Sequence, residues 1–171
     1  MELFKIKSNI DEIANALTYQ VSLVSTVFSG HIVENYNLTY NQHLRLLLIS
    51  TAQQIHLIDR LLLKHNWTYR EATIHRIFIG QARMIAGLWP HLYEQASLEF
   101  FSDKQLEYTQ YPEKIKNDGI NYPKGSLLWE FGEEIAFNSS MQKNHKIILT
   151  TIGTYKFYYI NNDEIMAFIR N

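Results

Sequence analysis

Over the first third of the chain, apolar residues return every three or four positions, the period that lines one face of a helix. Ile10, Ile13, Ala14, Leu17, Val21, Val24 and Phe28 form that stripe. Ser8, with Asp11 three residues later, gives a start signal, and Gly30 a stop. The first seven residues alternate weakly, Leu3, Lys5 and Lys7 against Phe4 and Ile6, as in a short strand. A second helix is expected from about Thr39 to His65, with Asn66 as its C-terminal cap. Its main stripe holds Leu44, Leu48, Ile55, Ile58 and Leu62, while Leu46, Leu57 and Leu61 sit elsewhere around it. A helix apolar on most sides belongs at the centre of a bundle. The third helix opens at Thr68 with Glu71 in capping-box spacing. It turns Ile74, Ile77, Phe78, Ile85 and Leu88 to a core, and Pro90 ends it. A short fourth helix fits 91–101.

Helical periodicity fades after residue 102, and Pro112, Gly119, Pro123 and Gly125 mark 102–125 as an irregular segment. The stretch 126–137 fits either a short helix or strands. In the tail, Lys146–Ile152, Thr154–Ile160 and Glu164–Ile169 are rich in Ile, Thr, Tyr and Phe, with Gly153 and Asn161–Asp163 between them. That pattern predicts a three-stranded antiparallel meander over about 146–169. The expected fold is therefore α+β: one domain over 1–171, with an N-terminal bundle of three long helices (a fourth allowed) over about 8–101 and a small C-terminal sheet.

Composition narrows the chemistry. With 171 residues the chain is long enough to bury a core without disulfides or a structural metal. It has no cysteine, which removes Cys nucleophiles, thiolate zinc sites and Fe–S clusters. The net charge of −1 gives no global field to gather nucleic acid or an anionic membrane. Glu2, Asp11 and Glu12 break up the N-terminal pattern that a signal peptide would need, so a cytoplasmic location is expected, with neither membrane nor nucleic acid as partner. Phosphate-binding glycine loops and the nucleophile elbow are absent.

Four constellations remain. His56 and Asp59 lie three apart on the second helix and so share a face; His75 on the third is a possible third ligand for a divalent metal. The segment Gln54–Leu61, QIHLIDRL, resembles the His-bearing second helix of DinB-type bundles over about a dozen residues, which implies a metal-dependent helical-bundle enzyme. The plainer account is a hydrogen-bonded pair that stabilises helix packing. The Arg-x4-His spacing occurs at Arg60/His65 and Arg70/His75 and resembles the active-site motif of HEPN-type ribonucleases, helical proteins in which the two residues flank the scissile phosphate. That resemblance implies metal-independent RNA cleavage by Arg70 and His75, although Leu61 and Glu71 follow the arginines where a different residue is usual. On the third helix, Arg76, Gly80, Arg83 and Gly87 fall on one face, either a groove for a partner or a close-packed contact within the chain. In the tail, Tyr155, Phe157 and Tyr159 share one face of the expected strand.

With no assembled catalytic set and many aromatics, the leading expectation is a non-catalytic protein-interaction module that needs no cofactor. Its partner would be another protein or a second copy, met through Arg76, Gly80, Arg83, Gly87, Tyr155, Phe157 and Tyr159.

Overall fold

The stripe that begins at Ile10 does not stop at Gly30. In the computed structural model, which describes residues 2–112, 124–139 and 145–155, helix α1 runs Glu2–Tyr36. The expected N-terminal strand is thus part of a helix. A mid-helix glycine costs about 1 kcal/mol against alanine. Burial of Phe28 and Ile32 on either side of Gly30 outweighs that cost, since each large apolar side chain taken from water is worth about 1.5–3 kcal/mol. The turn falls to Asn37, at φ 49°, where Leu38 N–H reaches back to Val33 O at 3.2 Å.

Helix α2 (Tyr40–Lys64) starts where the sequence places it. Thr39 Oγ1 accepts from Gln42 N–H, and Thr39 N–H donates to Gln42 Oε1 at 2.8 Å, a reciprocal capping box. At the far end Asn66 sits at φ 52°, with its own N–H on Leu63 O and Trp67 N–H on Leu62 O, a Schellman turn. Helix α3 (Arg70–Leu88) starts one residue later than its capping signal implies: Tyr69 is the N-cap and offers no side-chain bond. Helix α4 (Glu94–Tyr108) extends into the segment expected to be irregular. Helix α5 (Leu127–Asn138) resolves the ambiguous stretch as helical, with Ser126 Oγ accepting from Trp129 N–H.

The β tail is a correction. Residues His145–Tyr155 form helix α6, and there is no strand among the described residues, so the fold is all-helical rather than α+β. Ile147, Ile148, Thr151 and Ile152 are buried, a helical spacing, whereas a strand would pair 147 with 149 on one face. Leu149 is instead 56% exposed. The other two expected strands fall outside the described residues, apart from Thr154 and Tyr155 in α6.

Two clusters of buried side chains hold the helices. The first gathers Leu17 and Val21 of α1, Ile55, Ile58 and Leu62 of α2, Ile77 and Ile85 of α3, and Phe101 and Tyr108 of α4. The second gathers Phe28 and Ile32 of α1, Leu46 and Ile49 of α2, Phe131 and Ile135 of α5, and Ile148 and Ile152 of α6. Helices α1 and α2 serve both. The α2 window that is apolar enough to cross a membrane is 72% buried in this bundle, as expected of a core helix.

Between α1 and α3 runs a seam of small polar residues. Gln81 Nε2 donates to Thr18 O at 2.6 Å and to Ser22 Oγ at 3.0 Å, and Ser22 Oγ lies 3.2 Å from Met84 Sδ. Thr18 stands against Gly80, so the pairs 18/80 and 22/84 set α1 and α3 parallel and in register. A Cβ on Gly80 would lie 2.8 Å from Thr18 Cγ2, and Thr18 is held in place by its bond to Ala14 O at 2.7 Å. Gly80→Ala is therefore expected to destabilise the protein by about 1–3 kcal/mol despite alanine's better helix propensity. An unchanged or raised urea midpoint would show that the helices do not approach this closely.

Candidate functional site

His56 is completely buried, and it is the hub of the best-connected polar group in the bundle. It sits on the face of α2 that meets α4. Arg60, one turn further along α2, donates from Nε to His56 Nε2 at 2.6 Å. Nε2 must then be the bare acceptor, so the proton rests on Nδ1 and is donated to Gln105 Oε1 at 2.9 Å. Gln105 Nε2 donates in turn to Ala52 O at 3.1 Å. Arg60 Nη2 also donates to Tyr108 O at 3.1 Å and Tyr111 O at 2.9 Å, placing a cation on the carbonyls at the end of α4.

The group continues to α5. Tyr108, packed edge-on against the His56 ring, donates its hydroxyl to Glu134 Oε2 at 3.1 Å. Lys104 bridges Glu107 Oε2 at 2.8 Å and Glu134 Oε1 at 2.5 Å. Burial works against the Lys104 charge, but the bonds from Glu107 and Glu134 outweigh it and raise its pKa. The His56 pKa goes the other way. Burial is the main cause, the Gln105 bond opposes it, and the Arg60 charge adds to it; together they lower the pKa to about 4.

Chemically, His56 is a neutral ring with both nitrogens in use, and it has no face open to a substrate. Asp59 spends both carboxylate oxygens on Arg70, at 2.7 Å from Nε and 2.7 Å from Nη2. His75 lies exposed on α3. The structure does not bring His56, Asp59 and His75 together, and no group of three metal-binding side chains exists among the described residues. Arg70 and His75 likewise do not meet: the arginine ties the start of α3 to α2. An open depression of about 600 Å³ lies beside it, lined by Leu63, Trp67, Tyr69 and Arg70 among others.

The face of α3 divides in two. Arg76 pairs with Asp11 and Gly80 packs on Thr18, so its N-terminal half is occupied by α1. Arg83, 69% exposed, reaches Glu94 at 3.3 Å, and Gly87 has nothing within 4 Å of where a Cβ would stand. Tyr155 closes α6, while Phe157 and Tyr159 lie outside the described residues.

A different surface stands out, one that the sequence reading passed over. On the outer side of α1, Tyr19, Leu23 and Val27 recur every fourth residue and are all exposed, Tyr19 at 65%. Met84 of α3 is exposed beside them, set there by its contact with Ser22, and Leu88, one turn further along α3, is exposed as well. Helix α1 has no Asp, Glu, Lys or Arg anywhere from Ile13 to Val33. That gap in charge was visible in the sequence. Helical periodicity marks the buried face alone, whereas the missing charge marks this one.

The His56 group predicts a pH dependence. Its folded pKa of about 4 lies below the ordinary 6.5, so the unfolded chain takes up a proton that the folded chain refuses. Stability from this group is complete above pH 6.5 and falls as the pH drops toward 4, by about 3 kcal/mol in total. His56→Gln should lower stability at pH 7 by about 1–3 kcal/mol, because Arg60 loses its acceptor, yet flatten the loss between pH 6.5 and 4. Parallel urea titrations at both pH values check this; equal slopes in the two proteins would contradict it. Compared with known protein families, curated proteins and solved structures, the chain matches none.

Proposed function

We propose that this chain is a protein-interaction module that docks through the outer face of α1 and the adjoining edge of α3. The observation that carries this reading is the exposed apolar stripe Tyr19, Leu23 and Val27 on a charge-free stretch of helix, widened by Met84. Contiguous apolar surface bordered by polar residues is what interfaces present, whereas single exposed apolar side chains are ordinary. Tyrosine, leucine and methionine on a helix give a large contact area on a rigid frame. Metal-dependent and ribonuclease chemistry gain no comparable support, since His56, Asp59 and Arg70 are each engaged by neighbours inside the bundle.

The test is a charge placed in the stripe. Leu23→Glu, on an exposed position, is expected to leave the helical circular dichroism unchanged and to shift stability by no more than about 0.5 kcal/mol. It should nevertheless weaken, by at least about tenfold, whatever association the wild-type chain shows, with itself or with a protein retained from its native cells. A wild-type chain that is strictly monomeric and retains nothing specific would contradict the reading.

A further inference from the structure

We infer that α1 pairs antiparallel with α1 of a second copy of this chain, across a two-fold axis at Leu23; this rests on the reading of that face as an interaction surface. Charge is the first argument. The stripe has no charged side chain over Ile13–Val33, so a partner bringing charges to it would bury them unpaired. A second copy brings an equally uncharged stripe.

The size pattern is the second. Ala16, Tyr19, Leu23, Val27 and Gly30 lie along one line of the helix, with Tyr19 and Val27 four residues from Leu23 and Ala16 and Gly30 seven. A two-fold axis at Leu23 therefore sets Tyr19 on the partner's Val27 and Ala16 on the partner's Gly30. Large meets medium and small meets small, as an isologous contact between helices requires. Met84 at the flank widens the face that the second copy would cover.

Gly30 is the third argument. A Cβ there would meet nothing within 4 Å, whereas Gly80 and Gly132 are packed on Thr18 and Ile148. Those two glycines admit a neighbour from their own chain. Gly30 carries the same helix penalty with its space left open, as at Gly87 and Gly153, and at Gly30 a second α1 fills that space.

Under this symmetry Glu12 and the partner's Glu34 face each other at the ends of the contact, so screening salt tightens the dimer. Sedimentation of the full-length chain is expected to show a monomer–dimer equilibrium that moves toward dimer as salt is raised. Leu23→Glu should weaken it by at least about tenfold. Because the chain has no cysteine, an introduced thiol reports on one position alone. Leu23→Cys is expected to cross-link to itself under mild oxidation, and Tyr19→Cys to cross-link with Val27→Cys faster than with itself. Leu149→Cys, exposed on α6, should stay uncross-linked at the same concentration. A chain monomeric at every concentration overturns the inference, as does a dimer in which Leu149→Cys cross-links as fast as Leu23→Cys. The interaction reading survives either result provided the wild-type chain still retains a different protein that Leu23→Glu releases.

Discussion

Helix α1 must stay unbroken through Gly30, because its inner face, like that of α2, serves both clusters. Its thirty-five residues span about 50 Å at 1.5 Å per residue. Leu17 and Val21 close the first cluster and Phe28 and Ile32 the second; beside them the seam of Thr18 and Ser22 faces α3, while Ser25 and Ser29 meet Ser50 and His43 of α2. Small residues on that seam let α3 approach closely at Gly80. The uncharged stripe of Tyr19, Leu23 and Val27 lies on the face of α1 turned away from both clusters.

The buried polar group around His56 solves a different problem. Helix α4 ends against the middle of the bundle, and the carbonyls of its last turn need donors. Backbone N–H groups beyond the helix supply most of them; Arg60 adds a charged donor to Tyr108 O and to Tyr111 O just past the end, and His56 holds Arg60 in place through Nε, with Gln105 fixing the tautomer. Tyr108 and Lys104 then anchor α5 through Glu134. Each charge in the chain of contacts has a partner of opposite sign or a carbonyl, the condition under which buried ionic groups are tolerable. This arrangement explains the histidine without a metal ligand or a catalytic role for it.

Much of the helical half was legible in the sequence, and for identifiable reasons. Thr39 and Gln42 cap α2, and Asn66 ends it in a left-handed turn, because local hydrogen bonds decide helix ends and are written in neighbouring residues. The failures came where local preference competed with burial. Gly30 and Gly153 look like stops, yet both lie within helices. The run Lys146–Ile152 is β-branched and reads as strand by propensity, but the spacing 147, 148, 151, 152 is helical and burial follows the spacing. The candidate sites were harder still. Spacing put His56 and Asp59 on one helix, but their real partners, Gln105 and Arg70, come from other helices and no periodicity announces them.

The claim on which all this rests is that α1 is one continuous helix with a packed inner face and an open outer one. Native-state hydrogen exchange of the full-length chain tests it directly. Amide protection should run without interruption from Ile10 through Val33, Gly30 included. Fast exchange setting in at Gly30 and continuing to Tyr36 would contradict it, since a break there would detach Ile32 from the second cluster.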